Sequence, residues 1–485
     1  MDEQRLAAYL ELIQALLECP SGANDILNAH RELVDADFVQ IVEAVAENMA
    51  AEGNSNAAWL QSLATYLANY VGNTTTPEEY LSFLMEVLKA TNESDVNPQE
   101  EYLSFLEKVL QATRESNGDP QVVSPILKQN LDKLDLNFAQ MLQDWATFRF
   151  ADWATFKSLK VTSDEAAYIA GVLVNFGSLI EQFPLGRRAW NLEIGIACYT
   201  AALEVYTREN YLENWAKIQN NLGLAYIHRI EGVRAQNIEE AIRCCLEALK
   251  VYTREADPEN WAVIQNNLGG ARRSRIEGVK AQNIEEALAC FWEALKVRTR
   301  EADPENWAMT QNNLGLAYIH RIEGLRADNI EKAIGCYRAA LDVYTCEVYP
   351  KQWANTQKDL GNAYIDRIEG VRADNIEEAI ARHTAASEVY KRKDYYPGDW
   401  ASTQNSLGAA YSKRIEGVRA QNIEQAIACY LEALKVHTRE VYPEQWATTQ
   451  NNLGTGYSDR IEGLRAQNIK QAIACYTAAL EVSTR

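Results

Sequence analysis

The sequence predicts an all-α protein: an α-solenoid of helix pairs preceded by a helical N-terminal domain. Three observations carry that prediction. A tryptophan returns at Trp215, Trp261, Trp307, Trp353, Trp400 and Trp446, in steps of 46, 46, 46, 47 and 46 residues. Two glycine series keep the same register: Gly223, Gly269, Gly315, Gly361, Gly408 and Gly454, then Gly232, Gly278, Gly324, Gly370, Gly417 and Gly463. Apolar residues recur at helical spacing on either side of the second series. Such a unit cannot bury its apolar face alone, so neighbours stack and leave long grooves, an architecture suited to binding rather than chemistry.

One unit shows each element in order. Asp257-Pro258-Glu259 opens a first helix: the aspartate caps, proline is pre-set for the first helical position, and an acid suits the positive end of the dipole. This helix is expected to run through Trp261, Leu268 and Arg275-Ile276-Glu277 and to stop at Gly278, which can take the left-handed conformation. Val279 to Gln282 then make a short turn. Asn283 is expected to start the second helix, paired with Glu286 as in a capping box, and Ile284, Ala287, Leu288, Phe291, Ala294 and Leu295 give it one apolar face.

Leu222-Gly223 with Tyr226, followed by Ala241, Cys245 and Ala248, resembles the tetratricopeptide repeat, and the resemblance implies antiparallel helix pairs. The unit is longer than the usual repeat of about 34 residues; the additions are expected at the start of the first helix and in the Glu-Gly-Val-Arg-Ala-Gln-Asn turn. Residues 163–209 hold a degenerate, capping copy, in which Asn175-Phe176-Gly177 and Gly186 keep register while Ile169 occupies the tryptophan slot. Residues 210–485 hold six full units. The last ends at Arg485 just after its second helix, so the array is read as open there, as a truncation would leave it.

Residues 1–162 differ in composition, with 25 Asp plus Glu against 10 Lys plus Arg. Periodic apolar segments Leu6 to Leu17, Phe38 to Met49 and Ala57 to Val71 argue helices, separated by Cys19-Pro20-Ser21-Gly22 and Glu52-Gly53-Asn54. Two short duplications interrupt them: Glu79–Leu84 reappears as Glu101–Leu106, and Asp144–Phe148 as Asp152–Phe156. Thr74–Pro77 and Glu93–Pro98 read as joints. The whole layout, with Gly232 to Ile242 and its later copies, resembles cyanobacterial tetratricopeptide proteins that often continue into a caspase-like CHAT peptidase domain. The peptidase part is absent from these 485 residues, so its dyad maps onto nothing here.

A net charge of −21 argues against nucleic acid, whose phosphates need clustered Lys and Arg. No apolar run approaches the roughly 18 residues of a membrane span, and Met1-Asp2-Glu3-Gln4-Arg5 lacks the basic start of a signal peptide. A cytoplasmic protein is expected. Cys198, Cys244, Cys290, Cys336, Cys429 and Cys475 share one repeat position; packed helices hold them about 8 to 10 Å or more apart, beyond disulfide reach. They are read as reduced thiols at the helix seams. Cys244-Cys245 is no metal motif, and His228 and His320, one repeat position duplicated, have no nucleophile beside them. No catalytic residue, metal site or cofactor is assigned, and a phosphate-binding loop is missing.

The binding candidates lie on the first helices. Asn220, Asn266, Asn312, Asn405 and Asn451 repeat at one position, with Lys358 in the fourth unit. In tetratricopeptide superhelices this face lines the concave groove, so by resemblance the amides could hold an extended peptide backbone; equally, Gln-Asn-Asn could bond adjacent first helices together. The Gln219 series and the tryptophans are read as packing, and the Arg229/Glu231 pairs as pinning the first-helix end. Specificity belongs to positions that vary within the repeating frame: Lys217 and Met309 in one set, Leu224 and Leu316 in a second, His228 and His320 in a third. The resulting expectation is a module that binds a protein or extended peptide and, in a longer parent, regulates an attached effector. The rival is a self-assembling scaffold, a homo-oligomer; an enzyme is disfavoured.

Overall fold

The computed structural model of the protein describes residues 3–18, 33–51, 98–155, 163–392 and 397–483, with a few isolated positions between 27 and 67. Among these residues every regular element is helical. The chain divides into two compact units, residues 1–175 and 176–485. The segments Cys19–Gly22, Glu52–Asn54, Thr74–Pro77 and Glu79–Leu84, most of Ala57–Val71 and of Glu93–Pro98, and Phe156 lie outside the described residues.

The first unit contains α1 (Glu3–Glu18), α2 (Ala36–Ala51), α3 (Pro98–Glu115), α4 (Pro120–Gln129) and α5 (Leu136–Thr155). One joint is built twice. Tyr9 on α1 donates to Asp35 Oδ2 at 2.7 Å, Asp35 Oδ1 accepts the Phe38 N–H at 2.9 Å, and the Tyr9 and Phe38 rings meet at 5.4 Å. Tyr102 on α3 likewise donates to Asp135 at 2.6 Å, which accepts the Phe138 N–H at 2.8 Å. Each aspartate therefore caps one helix and anchors another, a duplication that short sequence matches do not reveal.

The second unit is the array, and α6 (Ser163–Gln182), which the division crosses, leads into it. Seven helix pairs follow one another: α6 with α7 (Arg188–Val205), α8 (Leu212–His228) with α9 (Arg234–Leu249), α10 (Pro258–Ser274) with α11 (Lys280–Leu295), and α12 (Pro304–His320) with α13 (Arg326–Leu341). Then come α14 (Pro350–Asp366) with α15 (Arg372–Arg392), α16 (Pro397–Lys413) with α17 (Arg419–Leu434), and α18 (Pro443–Asp459) with α19 (Arg465–Ser483). Asp257 does cap α10, accepting the Asn260 N–H at 3.0 Å, with Pro258 as the first helical residue.

Two boundaries differ from expectation. The first helix ends at Ser274, not at Gly278, because Arg275 turns extended; Gly278 sits inside the turn at φ +78°, where any side chain would be strained. The second helix starts at Lys280, and Asn283 is not its cap. Its amide instead reaches back to donate to the Glu277 carbonyl at 2.8 Å, tying the turn from inside the helix. The same bond recurs in every full unit. At the helix start, Arg234 donates to the Ile227 carbonyl at 2.6 Å and Lys280 to the Arg273 carbonyl at 2.8 Å, which satisfies groups the first helix leaves open at its end.

Packing within a pair rests on the first glycine series. A Cβ on Gly315 would lie 2.8 Å from the Tyr337 ring, and Gly269 and Gly408 face Phe291 and Tyr430 as closely. Packing between pairs rests on a clamp that sequence alone misassigns. Arg229 binds Glu193, on the second helix of the preceding unit, through two bonds of 2.7 and 2.8 Å, rather than Glu231. The clamp recurs as Arg275–Glu239, Arg321–Glu285, Arg367–Glu331, Arg414–Glu377 and Arg460–Glu424. Its planar, two-point geometry sets the stagger of one unit on the next.

The fourth unit is irregular, and the 47-residue step has a local cause. Thr253, Thr299, Thr345 and Thr438 each accept a backbone N–H three residues on, which turns the chain after the second helix. Lys391 replaces that threonine, and α15 runs on to Arg392, 21 residues against the usual 16.

Candidate functional site

The first helices α8, α10, α12, α14, α16 and α18 stack side by side and carry all twelve candidate binding residues. The half-buried Asp359 on α14 feels Arg273 on α10, two units away, across α12.

Along this face the asparagines pair. Asn267 donates to Asn220 Oδ1 at 3.0 Å, Asn313 to Asn266 Oδ1 at 3.0 Å, and Asn452 to Asn405 Oδ1 at 3.1 Å. Asn312 donates to Asp359 at 3.4 Å. The amide oxygens at positions 220, 266 and 405 are thus engaged in joining units, and Asn266 is buried. Asn312 differs, since its Oδ1 is buried with no partner. Asn451, in the last unit, is exposed.

Lys358 and Asp359 break the ladder in the fourth unit. Burial pushes the Asp359 carboxyl up from its usual range, partly offset by Lys358, the Asn312 amide and Arg273. Directly behind them His383 occupies the slot that holds Cys245, Phe291 or a tyrosine in the other units; it is fully buried, with neither ring nitrogen hydrogen-bonded.

The variable positions are the accessible ones. Lys217, Leu224, His228 and His320 are exposed, and Met309 and Leu316 are half-buried. His228 keeps solvent contact, yet the surrounding walls limit its hydration, and this with Arg188, Arg234 and Arg273 nearby pushes its imidazole down to about 4. Restricted hydration, with Arg273, Lys280 and Arg326 nearby, lowers His320 as well. Both imidazoles are neutral at pH 7. Gly270, in the Leu224 and Leu316 series, has open space where a side chain would stand.

Tryptophans lie half-buried at the unit seams. Trp307 packs on Ala308, Ala340 and Tyr344, and the guanidinium of Arg254 stands 5.8 Å over Trp261. Cys198, Cys244 and Cys290 are buried and Cys336, Cys429 and Cys475 half-buried, all as free thiols. Burial pushes Cys244, Cys290 and Cys429 up to about 11 and Cys336 up to about 12, so thiolate chemistry at neutral pH is suppressed. Among the described residues no group of three or more His, Cys, Asp or Glu is placed to hold a metal, and no helix is long and apolar enough to cross a membrane.

The Sel1 repeat model matches residues 216–250, 308–342, 401–435 and 447–481. Every match begins immediately after one of the seam tryptophans and ends at or near the end of the second helix, so it covers one helix pair with its turn. No curated protein matches the chain. Among solved structures, BtubC from P. vanneervenii is 20% identical over 52% of this chain and 92% of its own, at a TM-score of 0.38. A signal-transduction ATPase with numerous domains and a tetratricopeptide repeat sensor, from Pyrococcus horikoshii, is 15% identical over 85% of this chain and 60% of its own, at a TM-score of 0.46. The chain is thus an all-α solenoid of helix-pair repeats, four of whose units are similar to the Sel1 repeat.

Proposed function

We propose that the array binds a protein or extended peptide along the inner face of its first helices, and that in a longer parent it is the regulatory part, as the resemblance to CHAT-linked proteins implies. The supporting observation is the division of labour on that face. Residues that hold units together repeat, whereas the accessible positions 217, 224, 228, 309, 316 and 320 carry residues that change from unit to unit. Apolar Leu224, Met309 and Leu316 stand in the first and third units, and the equivalents in later units, Asn355, Ser402, Thr448, Asn362, Ala409 and Thr455, are smaller and mostly polar. The ligand therefore places its hydrophobic residues against units one to three. Binding is carried by these accessible positions more than by the paired asparagines.

Two variants separate contact from framework. Met309→Glu with Leu316→Glu is expected to abolish capture of apolar sequences on a random-peptide array while leaving the helical circular dichroism unchanged. Asn266→Ala is expected to lower stability by about 1 to 3 kcal/mol, because it orphans the Asn313 amide, with little effect on capture. Undiminished capture by the double glutamate variant sinks the reading.

A further inference from the structure

Each second helix of the array opens on a cation, an arginine everywhere except Lys280. That side chain donates to the carbonyl seven residues back, at the end of the first helix of its own unit, and the arginines use Nη1 for it. Twice the other terminal nitrogen meets a carboxylate: Arg326 Nη2 lies 3.6 Å from Asp366, and Arg419 Nη2 lies 3.5 Å from Asp459. Both aspartates stand 40 residues on, in the last turn of the following unit's first helix.

The first three units break this pairing. At the same spacing of 40 residues, Arg188, Arg234 and Lys280 are set against His228, Ser274 and His320. The neighbourhood is direct, since His228 feels Arg188 and Arg234, and His320 feels Lys280 and Arg326. Among the described residues no carboxylate forms an ion pair with Arg188, Arg234 or Lys280; Glu181 and Glu444 act on the two arginines only at longer range. Arg273 adds a fourth charge, where the adjacent units carry Ile227 and Ile319. Its Nε is buried with no hydrogen-bond partner, and its charge reaches His228, Lys280 and His320. Asp359, which offsets it in part, is already bonded by Asn312. In a chain of net charge −21 this run of cations is a local exception. It adjoins the apolar positions, because His228 and His320 follow Leu224 and Leu316 by four residues, on the same helix face.

We propose that the ligand of this face is an acidic extended peptide, whose carboxylates take beside Arg188, Arg234 and Lys280 the places that Asp366 and Asp459 hold in later units. The inference rests on the peptide-binding reading above and adds the charge of the peptide. Neighbouring helices repeat at about 10 Å, and a polyproline II strand brings every third side chain to one face at intervals of about 9 Å. Acids three residues apart therefore match successive cations, and apolar residues between them meet Leu224, Met309 and Leu316.

Fluorescence anisotropy on the 485-residue chain tests it with two labelled peptides, Leu-Asp-Ala repeated four times and its Leu-Asn-Ala counterpart. The aspartate peptide is expected to bind about tenfold more tightly, the order of three partly exposed ion pairs together. His228→Asp with His320→Asp builds into units one and three the carboxylates that units four and six already carry, so helical circular dichroism is expected to stay unchanged and the preference to vanish. Arg273→Ile, the residue of the adjacent units, is expected to cut the preference about threefold while affinity for the asparagine peptide holds. Equal affinity for the two peptides, or a preference that survives the double aspartate variant, would overturn the acidic ligand; if both affinities then fall with Met309→Glu and Leu316→Glu, the peptide-binding reading stands without it. Binding of neither peptide up to about 1 mM would overturn both.

Discussion

Acidification from pH 7 to pH 4 is expected to take about 3 kcal/mol from the array through His383 alone, and His383→Phe is expected to abolish that share of the loss. The imidazole is fully buried against Gly361 on α14, with neither nitrogen bonded and Lys358 as the charged group that faces it. Burial first, and Lys358 second, push it down to about 3. Its folded value lies below the ordinary 6.5, so the unfolded chain binds the extra proton first. Stability is therefore intact above about pH 6.5 and declines as pH falls toward about 3. Phenylalanine already fills the equivalent slot at Phe291, so the variant fits. Removing two unsatisfied nitrogens is also expected to stabilise the array at pH 7 by about 1 to 3 kcal/mol. Denaturant midpoints of both proteins at the two pH values decide the matter; an equal loss in each means that His383 is hydrated in solution and the pocket is wetter than its geometry shows.

The array was legible because its signals are local. Asp257-Pro258 names a helix start whatever surrounds it, and Gly278 announces a left-handed turn without knowledge of its neighbours. The limits appear one residue at a time. Asn283 reads as a cap because Asn caps helices, yet its amide ties the turn from the fourth helical position, a choice made by where Glu277 happens to lie. Arg229 and Glu231 are two residues apart in sequence, but the guanidinium crosses to Glu193 because stacked units bring that carboxylate within reach. A signal was present: an arginine follows a glutamate at a spacing of 36 or 37 residues six times over. Spacing becomes a contact only when the stagger between units is known.

The candidate groove shows the same limit from the other side. Repetition of Asn220 and its copies marks a structural duty as readily as a binding one, and the pairing of Asn267 with Asn220 across units uses the oxygen that a peptide amide would need. On the proposed reading, binding instead belongs to the residues that fail to repeat. Lys358, Asp359 and His383 depart together in one unit, and no periodic argument joins them, because they lie on different helices and meet only once α14 and α15 pack.

Opposite signs are expected from one substitution made at two glycines of a single unit. Ordinarily Gly→Ala inside a helix stabilises by about 1 kcal/mol, since alanine loses less backbone entropy on folding. Gly335, on α13, has no atom within 4 Å of where its Cβ would stand, so Gly335→Ala is expected to give that gain. Gly315, on α12, would place its Cβ 2.8 Å from Tyr337 Cε1 and 3.0 Å from Cδ1. Tyr337 is fully buried, so the new methyl must displace a packed ring or part the two helices. Overpacking of that kind costs about 1 to 3 kcal/mol, which outweighs the entropic gain. Gly315→Ala is therefore expected to lower the denaturation midpoint while Gly335→Ala raises it. A tighter approach at Gly408, 2.6 Å from the Tyr430 ring, predicts at least as large a loss there. A rise in midpoint for Gly315→Ala would show that the ring yields, and that the first glycine series is kept for its conformation and not for the close approach of the paired helices.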